Sequence, residues 1–184
     1  MIETARLILR PWEDRDRDAA YAMTQDAAVM AYLPALDRAG SDAMVDRMMA
    51  MQAEHGHTFW VMERRQDGAM LGMCGFCPPR PPLAEYEIGW RLARAAWGQG
   101  YGTEAARATL DWAWAHRTMA SIVAITVHAN ARSRALMERI GMAYAPSEDF
   151  DHPSLAPDDP LRPHVLYRIH RPIQGAPFED QIHA

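Results

Sequence analysis

The sequence predicts a single α/β domain built on a mixed, mostly antiparallel sheet with helices on both faces. Three observations carry that prediction: a hairpin pattern over residues 58–77, a strand, glycine-punctuated loop and helix over 85–115, and a second strand and helix over 122–141. At 184 residues and 49% hydrophobic the chain holds enough apolar material for one full core and too little length for several domains.

Taken in order, Arg6-Leu7-Ile8-Leu9-Arg10 alternates as a short strand that stops at Pro11, and an acid-rich run then opens a helix through about Met23. Ser41-Asp42 is positioned to cap a second helix whose Met44, Val45, Met48, Met49 and Met51 recur at helical spacing until Gly56. Such a methionine stripe reads as adaptable core or groove lining. Thr58 to Met62 is a strand, Gln66-Asp67-Gly68 is turn chemistry, and Ala69 to Cys77 is the return strand. Pro78, Pro79, Pro81 and Pro82 break the sheet with a stiff loop before Glu85 to Leu92 resumes it. Beyond the glycine loop, Thr103 to Ala115 sets Ala106, Leu110, Ala113 and Trp114 on one helical stripe. Ile122 to Val127 is a continuous apolar strand; Asn130 then caps a helix carrying Leu136, Met137 and Ile140, and Gly141 closes it. Pro146 to Pro163 is proline- and acid-rich, His164 to Ile169 supplies a last strand, and residues 173–184 read as a loose end after a domain of 1–172.

Charge and composition exclude several classes of function. The formal net charge is −5 and all 19 basic residues are arginine. Schiff-base chemistry on lysine and the lysine of a nucleotide P-loop are therefore absent. The acids, clustered at Glu13 to Asp18, Glu148 to Asp151 and Asp158 to Asp159, disfavour nucleic acid and suit an amine-bearing partner. No segment approaches the roughly 20 apolar residues of a membrane span, so a cytoplasmic protein is expected, with no membrane partner, as a monomer or homodimer. Cys74 and Cys77 have the Cys-x-x-Cys spacing of metal and redox sites. On a strand, a separation of three puts their sulfurs on opposite faces, and no second pair completes a ligand set, so no metal is expected.

The most informative stretch is Trp97-Gly98-Gln99-Gly100-Tyr101-Gly102-Thr103. Alternate glycines between a strand and a helix let backbone N–H groups close round a phosphate at the positive end of the helix dipole. The loop lacks both the dinucleotide fingerprint and the P-loop lysine, and it follows an antiparallel hairpin, which argues against a Rossmann unit.

Together with Glu87-Ile88-Gly89-Trp90-Arg91-Leu92 before it, and Asn130-x-x-Ser133 and Met137-Glu138-Arg139-Ile140-Gly141-Met142 after it, this loop resembles the GNAT N-acetyltransferases. The similarity is greatest to the branch that acetylates ribosomal-protein amino termini, and it runs from Arg6 to Tyr167. One position departs from the family: the loop usually opens with Gln or Arg, and here Trp97 stands instead, which leaves more of the binding to backbone amides.

The resemblance implies a sheet splayed at Glu87 to Leu92 and acetyl-CoA as cosubstrate, with no metal. The pyrophosphate would lie against Gly98, Gln99, Gly100, Tyr101, Gly102 and Thr103, and the pantetheine arm against Leu92 and Asn130, with Asn130 also a helix cap. Transfer to an amine needs a neutral nitrogen and a stabilised leaving thiolate. The resemblance assigns the first task to Glu87 as base, with Glu85 in reserve, and the second to Ser133. Arg132 and Arg134 flank Ser133 and read as solvated, whereas His152, His164 and the Pro78 to Pro82 loop would border the acceptor. The acceptor itself is expected to be a protein amino terminus, a peptide or a small-molecule amine. A catalytically idle acyl-CoA sensor is the alternative, and a nucleotide-triphosphate enzyme a distant third.

Overall fold

Alternation organises the first half of the chain. In β2 (Leu7–Arg10) and β3 (Phe59–Arg64), Leu7, Leu9, Trp60 and Met62 turn to one face of the sheet, and Val61 turns to the other. The computed structural model describes residues 1–172, so the loose end expected at 173–184 lies outside the described residues. β1 (Ile2–Glu3) extends the edge beyond β2, and β4 (Met70–Cys77) returns from β3 as the expected hairpin. β5 (Tyr86–Leu92) pairs antiparallel with β4 from Glu87 to Leu92. β6 (Ser121–Val127) joins in parallel, β9 (Pro163–His170) pairs antiparallel with β6, and β7 (Ala143–Tyr144) and β8 (Phe150–Asp151) pair with β9. The strand order is β1-β2-β3-β4-β5-β6-β9-β7. β1, β7 and β8 are two residues each, too short to leave a period in the sequence.

Helices cover both faces. α1 (Arg17–Thr24) and α2 (Arg38–His55) lie on one side, where Trp12, Met44, Val45, Met48 and Val61 form a cluster. α3 (Tyr101–His116) and α4 (Ala131–Arg139) serve the other, where Ala105, Ala106, Leu110, Ala113 and Met137 join the main core. α2 starts earlier than the sequence suggests. Asp37, in an extended conformation, accepts from the Gly40 N–H at 2.7 Å and caps the helix, while Ser41 is a buried interior residue. The Asn130 cap and the Gly141 stop of α4 are where the sequence puts them. Cys74 meets Thr109 of α3, and Cys77 meets Glu87 on the opposite face, as their spacing requires. Among the described residues no helix is long and apolar enough to cross a membrane.

One feature of the sheet opens a cleft at its centre. β5 and β6 are paired only at Tyr86 with Ile122 and Glu87 with Val123. Beyond that point β5 stays on β4 as far as Leu92, and β6 stays on β9 as far as Val127 opposite His164, so the two central strands splay. Their facing edges are left without a strand partner.

Candidate active site

The glycine loop lies at the end of splayed β5. Gly98 and Gly100 have φ of 73° and 80°, which an L side chain rarely adopts, and Gly100 reverses the chain directly into α3. Gly102 serves otherwise. It already lies in the helix, and a Cβ there would sit 2.8 Å from Leu136 Cδ1, so its small size lets α3 close on α4. Among the described residues, the backbone N–H groups of Gly98, Gln99, Gly100, Tyr101, Gly102 and Thr103 donate to no protein acceptor; the first amide of this run to be spent is that of Glu104, on Gly100 O at 3.1 Å. Six unspent donors at the start of a 16-residue helix are suited to an anion. A hollow lined by Thr4, Gly100, Thr103, Glu104, Arg107 and Asp111 opens beside them.

The loop is held from behind by the turn between β1 and β2, a connection the local sequence pattern does not reveal. Arg6 Nη1 donates to Gln99 O at 2.9 Å, its Nε donates to Glu104 Oε2 at 2.7 Å, and its guanidinium lies 4.4 Å from the centre of the Tyr101 ring. Thr4 Oγ1 donates to Glu104 Oε1 at 2.6 Å. Burial pushes the Glu104 carboxyl up, but Thr4 and Arg6 together hold it below its ordinary range.

Trp97 closes the end of β5, its Nε1 donating to Leu92 O at 3.0 Å. That carbonyl already carries one hydrogen bond, so the strand's open edge lies mainly upstream of Leu92. Arg132 stacks on the Trp97 ring at 4.3 Å and returns to the loop a positive charge that the tryptophan itself lacks. Arg134 is committed elsewhere, donating to Tyr167 Oη at 3.0 Å.

Across the splay, Asn130 ties the end of β6 to α4. Its Oδ1 accepts from the Ser133 N–H at 3.2 Å and its Nδ2 donates to Thr126 Oγ1 at 3.0 Å, which leaves one amide hydrogen free. The Ser133 hydroxyl, half-buried in the first turn of α4, has no protein partner among the described residues. Tyr32, on the segment between α1 and α2, reaches across to donate its hydroxyl to Ala129 O at 3.2 Å, a second link that the sequence does not announce.

The two glutamates differ sharply. Glu85 accepts from Arg168 Nη2 at 2.6 Å and from the Ser121 hydroxyl; chiefly through Arg168, its carboxyl is held below the usual range. Among the described residues Glu87, 15% exposed in its side chain, accepts only from Arg80 Nη2 at 2.8 Å and weakly from the Cys77 thiol at 3.8 Å, both on Oε2. Burial pushes its carboxyl up, partly opposed by the Arg80 charge, the Cys77 thiol and His164. Oε1 accepts nothing from the described residues. Arg80 belongs to the proline-rich loop, and the His152 and His164 rings lie 5.1 Å apart, with His164 near enough to act on the Glu87 charge.

Comparisons with known proteins bear on the family and the fold. The family description "Acetyltransferase (GNAT) domain" matches residues 6–143. The chain is 34% identical over 145 residues to the uncharacterized protein YkkB of Bacillus subtilis, covering 77% of this chain and 84% of that protein. A GNAT-family acetyltransferase from Bacillus anthracis superposes with a TM-score of 0.75 at 25% identity, over 92% of this chain and 98% of that one. The ribosomal L7/L12 alpha-N-protein acetyltransferase RimL, solved in complex with coenzyme A, has the same fold, with a TM-score of 0.74 at 14% identity over 91% of this chain and 95% of its own. A match over most of the chain and the shared fold lead to one conclusion: this protein is a member of the GNAT acetyltransferase family.

Proposed function

We propose that the protein transfers the acetyl group of acetyl-CoA directly to a primary amine, on a protein amino terminus, a peptide or a small molecule. The observation that carries this reading is the run of six unspent amides from Gly98 to Thr103 at the mouth of the β5–β6 splay. Those amides and Arg132 suit the phosphates of the coenzyme, and the open edge of β5 together with the free amide hydrogen of Asn130 suits its pantetheine arm. When bound, acetyl-CoA supplies an acetyl group activated as a thioester.

The chain's own residues then divide the proton transfers. An α-ammonium titrates near 8 and an alkylammonium near 10.4, so a base is required at neutral pH. Glu87 accepts that proton on its free Oε1: its raised carboxyl lies closer to the amines in basicity than an ordinary glutamate, and Arg80 favours its ionised form. Glu85, saturated by Arg168 and Ser121, is the poorer candidate. Ser133 donates to the departing thiolate, a smaller contribution because a thiol of pKa near 8.5 already leaves well. Neither cysteine suits a covalent acyl intermediate. Both are fully buried, and burial raises both thiols, that of Cys74 to about 12.

The test is release of free CoA thiol from acetyl-CoA across a panel of peptides and amines, with calorimetric titration of CoA alongside. Turnover with at least one amine, cut strongly in Glu87→Gln and less in Ser133→Ala, is expected. No affinity for CoA overturns the reading. Tight binding with no turnover on any amine replaces it with the idle sensor.

A further inference from the structure

On the face covered by α1 and α2, β5 presents Glu87, Gly89 and Arg91 in a row. Apolar packing there falls into two separate clusters, one under α2 around Met44 and Val45, the other around Leu83, Val123 and Leu166. β5 runs between them. At Gly89 the space a side chain would take is filled by the Phe59 ring, one carbon of which stands 2.9 Å from where a Cβ would be. The strip from Glu87 to Arg91 is therefore an apolar track with a carboxylate at one end and a guanidinium at the other.

Glu87 has a counterion in Arg80, whereas Arg91 has none among the described residues. Its Nε is buried without an acceptor, and its one polar contact is a weak one, Nη1 to the Met44 sulfur at 3.6 Å. Burial pulls its pKa down and no acid among the described residues opposes the shift. Arg10 offers the contrast within the same chain: more deeply withdrawn from water, it is held by Asp16 at 2.8 Å and by Glu63 at 2.6 Å. A guanidinium drawn out of water calls for an anion with the geometry of its fork. Arg91 is half-buried, not sealed, so a ligand can reach it.

We propose that Arg91 is a specificity subsite that binds a carboxylate carried by the acceptor. This rests on the acetyl-transfer reading and narrows its substrate class. Four residues along a strand separate the Cα atoms of Glu87 and Arg91 by about 13 Å, a span that an extended chain of three or four residues covers. The acceptor is then a short peptide acid, or a longer chain with an acidic side chain close behind its amino terminus. Its amine lies at Glu87, its carboxylate at Arg91, and its middle over the Phe59 ring that covers Gly89.

The test compares tri-alanine as free acid, tri-alanine amide, and Ala-Ala-Glu amide. Both turnover and calorimetric binding are measured on the wild type, Arg91→Met and Arg91→Lys. In the wild type, the acids are expected to bind about tenfold more tightly than the plain amide, with KM about tenfold lower and kcat unchanged. A preference for tri-alanine acid points to a peptide carboxyl terminus, and one for Ala-Ala-Glu amide to a side chain. Arg91→Met removes the advantage and leaves the plain amide unchanged; Arg91→Lys keeps part of it. The proposal fails if the wild type treats acid and amide alike or binds neither, or if Arg91→Met weakens both equally or weakens CoA instead. Because peptide binding is read separately from CoA binding, loss of the acetyl-transfer reading would be seen in the CoA titration, independently of the acid preference.

Discussion

Arg6 and Gln99, 93 positions apart in sequence, are joined by a 2.9 Å hydrogen bond from the Arg6 guanidinium to the Gln99 carbonyl. A trans peptide is planar, so pinning that carbonyl directs the Gly100 N–H to the opposite side, away from Arg6. The first turn of the chain thereby aims an amide of the proposed phosphate cradle.

Arg6→Ala is accordingly expected to weaken CoA binding by about three- to tenfold, read by calorimetry, with kcat at saturating acetyl-CoA nearly unchanged. Arg6→Lys restores little, because a single ammonium cannot serve Gln99, Glu104 and the Tyr101 ring together. A loss confined to kcat would contradict this positioning role.

Glu87→Gln should lower kcat by about two to four orders of magnitude while leaving the melting temperature level or slightly higher. The sign follows from burial. A carboxyl raised in the folded state contributes stability in its protonated form, present below the unfolded pKa and lost as pH rises through the folded value. Glutamine mimics that neutral form. The acidic limb of the rate profile should vanish in this variant, and in Arg80→Ala it should move to higher pH, because the charge that favours ionised Glu87 is removed.

Two glycines separate folding from binding. At Gly72, with φ of 145°, a Cβ would sit 2.2 Å from Arg91 O and 2.7 Å from Leu92 Cα, both backbone atoms, so β4 would have to part from β5. Gly72→Ala is expected to cost about 3 kcal/mol in urea unfolding. Gly98, with φ of 73°, has nothing within 4 Å of such a Cβ. Gly98→Ala should cost about 1–2 kcal/mol of backbone strain and act chiefly on CoA affinity.

Asp16→Asn should destabilise the protein by about 3 kcal/mol at neutral pH. It breaks the fork of Arg10 Nη1 and Nη2 on Asp16, each bond 2.8 Å, and leaves a buried guanidinium short of charge. Burial alone would raise the Asp16 carboxyl, but Arg10 and the Glu13 N–H more than reverse it, so it titrates below its ordinary value. Its stabilisation is present above the unfolded carboxylate pKa and is lost as pH falls through the depressed folded value. Thermal unfolding from pH 6 downward should therefore drop more steeply in the wild type than in the variant.

Elements whose rules are local were legible in the amino acids alone. The Asn130 cap and Gly141 stop of α4, the hairpin of β3 and β4, and the glycine-punctuated loop before α3 each depend on residues within about four positions, where side-chain and backbone chemistry act directly. The family resemblance carried the long-range order of those pieces, including the splay at β5. Other features depended on residues meeting across the fold: that Glu85 is engaged by Arg168 while, among the described residues, Glu87 keeps an oxygen free and Arg91 is left without an acid, and that Arg6 reaches back to the loop from the first turn. Charge pairing and burial are set by atoms distant in sequence, and neither hydrophobic period nor propensity encodes which carboxylate meets which guanidinium. Only tertiary packing decided those pairings.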